Sequence, residues 1–244
     1  MSSMPILLFP GWAMPGPLLK EFAEALDHPV TIFDLCNPGT IDTQRTISEA
    51  AQEIVAAQPA PPLLIGWSTG ALLALEAATR PNTSLSGIIA LSGTACFCTR
   101  TEYAFGQPPE VVRALREGVL CEETKVRTLK RFYHESAHPD RLSRSLRDQL
   151  EQTASALDGE ILAAGLNYLM DTDIRNQLHG ITAPALFIHG QDDAIIPAEA
   201  AQWAVDHMST ATLHTLAGAG HLLPLLQSTQ VVHHIQTYIE EVLA

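Results

Sequence analysis

The chain has 244 residues, 46% hydrophobic and 17% charged, with 27 acidic against 14 basic side chains and a net charge of −13. That length suits a single α/β domain with a large core, and so negative a balance excludes nucleic acid as a general partner. No apolar run approaches the ~20 residues of a membrane-spanning helix, and the opening MSSMPILLFPGW has no basic region before an apolar stretch that stops at Pro10, so a cytoplasmic protein without a secretory leader is expected.

An apolar run at 6–9 has the continuous hydrophobicity of a strand buried on both faces, and a helical pattern follows at 17–27. The pair recurs as a run at 30–33 with a helix at 44–57, and again as a run at 63–65 with a helix at 69–80. A fourth run at 88–91 precedes the one interruption, from about 96 to 177, where helical patterns occur at 111–120, 122–133, 141–157 and 160–169 without a convincing strand. A structureless connection of that length is implausible in a compact domain. The alternation resumes with a run at 185–188, a helix at 197–208, a run at 212–216 and a helix at 224–243 whose stripe is Val231, Ile235, Ile239 and Val242. The pattern predicts an α/β fold: a mostly parallel sheet flanked by helices, forming one domain over 1–244, with a helical cap inserted between the fourth and fifth predicted strands.

The third strand runs directly into Gly66-Trp67-Ser68-Thr69-Gly70, and a strong helix continues from there. G-x-S-x-G between strand and helix is the setting of a nucleophile elbow, in which a strained turn lifts the serine hydroxyl above the strand ends. A serine hydroxyl needs a base at neutral pH, and imidazole is suited to that role. His221 follows the last strand in the small-residue loop Ala217-Gly218-Ala219-Gly220 and can be carried over the sheet edge; His189, His207 and His214 fall within predicted strands or helices and are read as packing or surface residues. An acid to orient the imidazole belongs after the fifth strand. Two adjacent carboxylates, Asp192 and Asp193, stand there, and only one can face the histidine. The oxyanion of the tetrahedral intermediate requires rigid N–H donors, which the backbone of Thr69 and of Trp12, in the loop after the first strand, can supply; Pro10 in that loop cannot donate.

Cys36, Cys96, Cys98 and Cys121 form no C-x-x-C pair and are expected to be reduced structural thiols. The ten histidines lack metal-ligand spacing, with His233 and His234 pointing two ways on the last helix, so no metal is expected and the chemistry needs no cofactor. Charge is unevenly spread. Nine of the fourteen bases fall between Arg113 and Arg147, where only five acids occur, so a basic island sits on an acidic body.

These segments in this order resemble the α/β-hydrolase superfamily, with Pro10-Gly11 in place of the usual His-Gly and Gly70-Ala71 in place of Gly-Gly. The superfamily's G-x-x-D-x-x-x-P spacing selects Asp193, three residues after Gly190 and four before Pro197, giving Ser68, Asp193 and His221 as the implied triad. Within the superfamily the chain is similar to the pimeloyl-acyl carrier protein methyl ester carboxylesterases of biotin synthesis. The likeness lies in Gly11-Trp12, Gly66-Trp67-Ser68, Leu91 to Phe97, Arg127-Thr128-Leu129-Lys130-Arg131-Phe132, and Gly165 to Leu169 followed by Asp173-Ile174-Arg175. The resemblance implies a serine carboxylesterase that takes its substrate on an acidic acyl carrier protein, docked by cap arginines: Arg127 and Arg131, then Arg141, Arg144 and Arg147. It implies a substrate site lined by Trp12, Ser68, Thr69, His221 and the stretch Phe132, Tyr133, His134, Glu135 and Ser136, flanked by Met14 and Trp67. A monomer is expected. The fold also hosts C–C hydrolases, lyases and general short-chain esterases, so the fold alone does not choose among them.

Overall fold

A computed structural model describes residues 4–36 and 46–243. In chain order the elements are β1 (Ile6–Phe9), a 3₁₀ turn at Gly16–Leu19, α1 (Lys20–Ala25), β2 (Val30–Ile32), α2 (Ile47–Ala56), β3 (Leu63–Trp67), α3 (Thr69–Ala78) and β4 (Gly87–Leu91). Then come α4 (Pro109–Leu120), α5 (Glu122–Ala137), α6 (Arg144–Ala156) and α7 (Gly159–Asp171). The chain ends with β5 (Ala185–Gly190), α8 (Ala198–Asp206), β6 (Ala211–Leu216), α9 (Leu223–Leu226) and α10 (Ser228–Tyr238).

The strands form one sheet in the order β2-β1-β3-β4-β5-β6, and every neighbouring pair is parallel. β1, β3, β4 and β5 are buried along their whole length, as their unbroken apolar runs require once helices cover both faces, whereas β2 and β6 lie at the edges and are partly exposed. The chain leaves β1 toward β2 and returns on the other side as β3, so the sheet reverses direction of travel between β1 and β3. In open parallel sheets ligands bind beyond the carboxyl ends of strands at such a reversal. The loop after β1 and the turn after β3 meet there.

Local chemistry sets the helix boundaries. Thr46 accepts from Glu49 N–H at 3.2 Å while Glu49 Oε2 accepts from Thr46 N–H at 2.8 Å, a reciprocal cap that starts α2 at Ile47. Of the predicted helix 44–57, residues 44 and 45 lie outside the described residues. Ser143 Oγ accepts from Leu146 N–H at 3.1 Å, so α6 begins at Arg144 and Arg141 belongs to the preceding loop, not to a helix from 141. The helix expected over 224–243 is divided, because Gln227 leaves helical geometry with φ −121° and ψ 23°; α10 closes in a π-type turn at Ile239–Leu243.

Four helices, α4 to α7, therefore occupy the chain between β4 and β5. Each turns an apolar stripe inward: Val112 and Val119, Leu129 and Tyr133, Leu150 and Ala154, Leu162 and Leu166. The two ends of this segment are joined, since Cys96 and Asp173 form an antiparallel bridge and Ile174 N–H donates to Ala95 O at 3.0 Å. Among the described residues no helix is long and apolar enough to cross a membrane.

Candidate active site

β3 ends at Trp67 and α3 begins at Thr69, leaving Ser68 alone in the turn with φ 57° and ψ −115°. A non-glycine residue held at positive φ costs about 1–3 kcal/mol, and here the surroundings enforce it. Ser68 N–H donates to Leu91 O at 2.9 Å. Gly66 and Gly70 let the turn close: a Cβ on Gly66 would strike the Gly70 carbonyl, and one on Gly70 would strike the Phe9 carbonyl. The hydroxyl is thus lifted beyond the ends of β1 and β3, in a site where Ser68 is only 8% exposed.

The loop after β6 brings His221 to it. His221 Nε2 lies 2.9 Å from Ser68 Oγ, and His221 Nδ1 lies 2.7 Å from Asp193 Oδ2. A carboxylate accepts, so Nδ1 carries the proton and Nε2 presents its lone pair to the serine. The backbone of His221 is fixed from two directions. Its N–H donates to Ser136 O at 3.2 Å, and its carbonyl accepts from the Trp67 indole at 2.9 Å. Asp193 is fixed as well, with Oδ1 accepting from the N–H groups of Ile195 and Ile196 at 2.8 and 2.9 Å. Burial alone would raise its carboxyl, but the neighbouring His221 with its hydrogen bond, and the nearby His189, hold it well below the usual carboxylate range. Asp192, by contrast, is exposed, and its N–H donates to Ala219 O at 2.9 Å.

The loop after β1 forms the opposite wall. Gly11 approaches so closely that a Cβ there would lie 3.3 Å from Ser68 Cβ, and Met14 N–H turns the chain back onto Gly11 O at 3.2 Å. The backbone N–H groups of Trp12 and Thr69 donate to no other group of the described chain. Trp12 is clamped by the helices between β4 and β5: its indole N–H donates to Leu162 O at 2.8 Å, its ring meets Phe132 edge-on at 4.8 Å, and it packs against Gly165. Tyr133 Oη donates to Ala13 O at 3.0 Å. Between Trp12, Thr69, Cys36 and Gly165 lies a cavity of about 20 Å³, room for one water molecule.

The structure divides the stretch 132–136 by helical periodicity. Phe132, Tyr133 and Ser136 face inward toward Trp12, Ala13 and His221. His134 and Glu135 are exposed, Glu135 pairing with Arg131 at 2.7 Å, so these two are not brought to the serine as expected. Met14 and Trp67 are buried, Trp67 acting on the His221 loop through its indole. The five arginines are all exposed. Arg127 and Arg131 stand one turn apart on α5, while Arg141 and Arg147 flank a surface groove of about 490 Å³ with His134 and Leu142. Sequence reasoning missed the Leu162 carbonyl, the Tyr133 to Ala13 bond and the placement of His189 beside Asp193, all of which depend on long-range packing.

A strained serine at a sheet reversal, joined through imidazole to a buried carboxylate, is the arrangement of an α/β hydrolase, and the chain belongs to that family: the alpha/beta hydrolase family matches residues 6–234. It is similar to the pimeloyl-[acyl-carrier protein] methyl ester esterase of Xylella fastidiosa strain M23, 30% identical over 96% of this chain and 94% of that one. It is also 28% identical to the biotin biosynthesis bifunctional protein BioHC of Cellvibrio japonicus, over 96% of this chain and 47% of that one. Among solved structures an esterase from Exiguobacterium antarcticum shares the fold with a TM-score of 0.88, at 18% identity, covering 98% of this chain and 93% of that chain.

Proposed function

We propose that this carboxylic ester hydrolase removes the methyl group from a pimeloyl ester carried on an acyl carrier protein, in biotin synthesis, with Ser68 as nucleophile, His221 as base and Asp193 as orienting acid. The observation that carries the mechanism is the line Asp193 Oδ2, His221, Ser68 Oγ, with contacts of 2.7 and 2.9 Å. Ser68 gives its proton to His221 Nε2 as Oγ attacks the ester carbonyl. The N–H groups of Trp12 and Thr69 receive the oxyanion, each contributing about 2.7–4 kcal/mol to the transition state. His221 then protonates the leaving alcohol, and the acyl group stays on Ser68. Water, deprotonated by His221, attacks that ester and releases the acid.

The substrate class is supported by the esterase names of the relatives and by the exposed arginines of α5, α6 and the loop between them, which offer a positive face to an acidic carrier. The helical segment of about 96–177 serves as the cap, enclosing the acyl chain and presenting that face. A rapid-quench experiment with methyl pimeloyl-carrier protein tests the proposal. Methanol release should precede acid release, with the acyl group found on the peptide containing Ser68. Methanol release by Ser68→Ala at the wild-type rate would exclude it.

A further inference from the structure

His189 is the penultimate residue of β5, a buried strand whose preceding residues are apolar. Its side chain is wholly buried, and among the described residues Nδ1 has no hydrogen-bond partner. Nε2 lies 2.8 Å from Ile196 O. A carbonyl only accepts, so Nε2 carries the proton and Nδ1 is left as a buried acceptor without a donor, which lowers stability. Phenylalanine or leucine would remove the unpaired Nδ1 but would leave the buried Ile196 carbonyl without its donor.

The compensating contact is on the other side of the same nitrogen. Nε2 is 3.4 Å from Asp193 Oδ2, the oxygen that accepts the hydrogen bond of His221 Nδ1–H at 2.7 Å. Ile196, whose carbonyl His189 holds, is also the residue whose N–H fixes Asp193 Oδ1 at 2.9 Å. One N–H therefore anchors the loop that carries the acid and lies beside the oxygen that orients the base. At 3.4 Å the second contact is an electrostatic one and not a hydrogen bond, so the Nε2–H acts on the carboxylate chiefly by fixing Ile196.

We propose that His189 is a positioning residue for the hydrolytic site, holding the Asp193 carboxylate in line with His221 through its Nε2–H. This rests on Asp193 as the orienting acid. A displaced carboxylate would loosen His221, which lowers turnover without weakening substrate binding.

Three substitutions test it, since a glutamine amide can place a donor where Nε2 stands, an asparagine amide reaches only the Nδ1 position, and phenylalanine keeps the ring without a donor. The readouts are kcat and KM on p-nitrophenyl butyrate, together with the low-field NMR resonance of the His221 Nδ1 proton. His189→Phe and His189→Asn should lower kcat at least about tenfold with KM nearly unchanged and displace the resonance, and His189→Gln should restore both. Equal losses in the Gln and Asn variants would overturn the proposal, as would a folded His189→Phe with wild-type kcat and resonance. If His189→Phe does not fold, the contrast between Gln and Asn decides. Asp193→Asn, measured alongside, separates the two levels: full activity there would overturn the triad reading itself, whereas loss there with none in His189→Phe would overturn only the positioning role.

Discussion

Asp193 and its neighbour Asp192 carry the same functional group one residue apart, and their surroundings make them different acids. Asp193 is buried under two backbone N–H donors and an imidazole, while Asp192 is exposed. Asp193→Asn should lower kcat by about a thousandfold or more, because the amide disfavours the tautomer that leaves Nε2 free, and Asp192→Asn should leave kcat within about twofold. Comparable losses in steady-state assays of the two variants would reverse the assignment. The depressed carboxyl of Asp193 also makes a pH prediction. A group whose folded pKa lies below its unfolded value adds stability that is complete above the unfolded value and is lost as pH falls through the folded one. The difference in melting temperature between wild type and Asp193→Asn should therefore be constant above about pH 5 and shrink below about pH 4, followed by circular dichroism. The adjacent carboxylates were visible in the sequence, and superfamily spacing separated them. His189 was not visible as a partner, because a histidine in an apolar strand gives no sign of which loop folds over it.

At the scale of elements, the tight turn at Ser68 was legible because a strand, G-x-S-x-G and a helix lie consecutively in the chain. The clamp on Trp12 was not, since Leu162 is 150 residues away and the contact exists only once α7 crosses the loop after β1. Boundaries set by single side chains were misjudged for a similar reason: periodicity extends through Arg141, but the Ser143 cap stops α6 short of it. Gly165 allows that crossing, for a Cβ there would lie 2.8 Å from Trp12 Cδ1 and 3.3 Å from Nε1. Gly165→Ala should push the indole and with it the Trp12 N–H, lowering kcat on a small ester by about tenfold or more. Tyr133→Phe removes the bond to Ala13 O and should cost about 1 kcal/mol of stability by denaturant titration. Unchanged kinetics in Gly165→Ala would show that the Trp12 backbone is held without α7.

Across the whole molecule, charge is divided between an acidic body and a basic stretch that the fold spreads over α4 to α6 and their connections. Its ion pairs include the surface pairs Lys130 with Glu151 at 2.8 Å, Arg131 with Glu135 at 2.7 Å and Arg144 with Asp148 at 4.0 Å, which contribute little to stability. Their removal therefore should not unfold the protein, whereas Lys125, ion-paired with Glu122 at 3.0 Å, is largely buried. The α/β layout was legible because buried parallel strands are unbroken apolar runs. Which arginines share a surface was only partly so, since Arg141 and Arg147 meet at a groove with a loop between them. Charges of this kind act through encounter and orientation, so they should matter for a carrier-bound ester and not for a small free one. The decisive measurement is kcat/KM for methyl pimeloyl-carrier protein and for a p-nitrophenyl ester, in wild type and in a variant carrying both Arg127→Glu and Arg131→Glu. A loss of about tenfold or more is expected on the carrier substrate, with a steep fall of the wild-type value with salt and no change on the small ester. Equal rates on the carrier substrate in both proteins would contradict it.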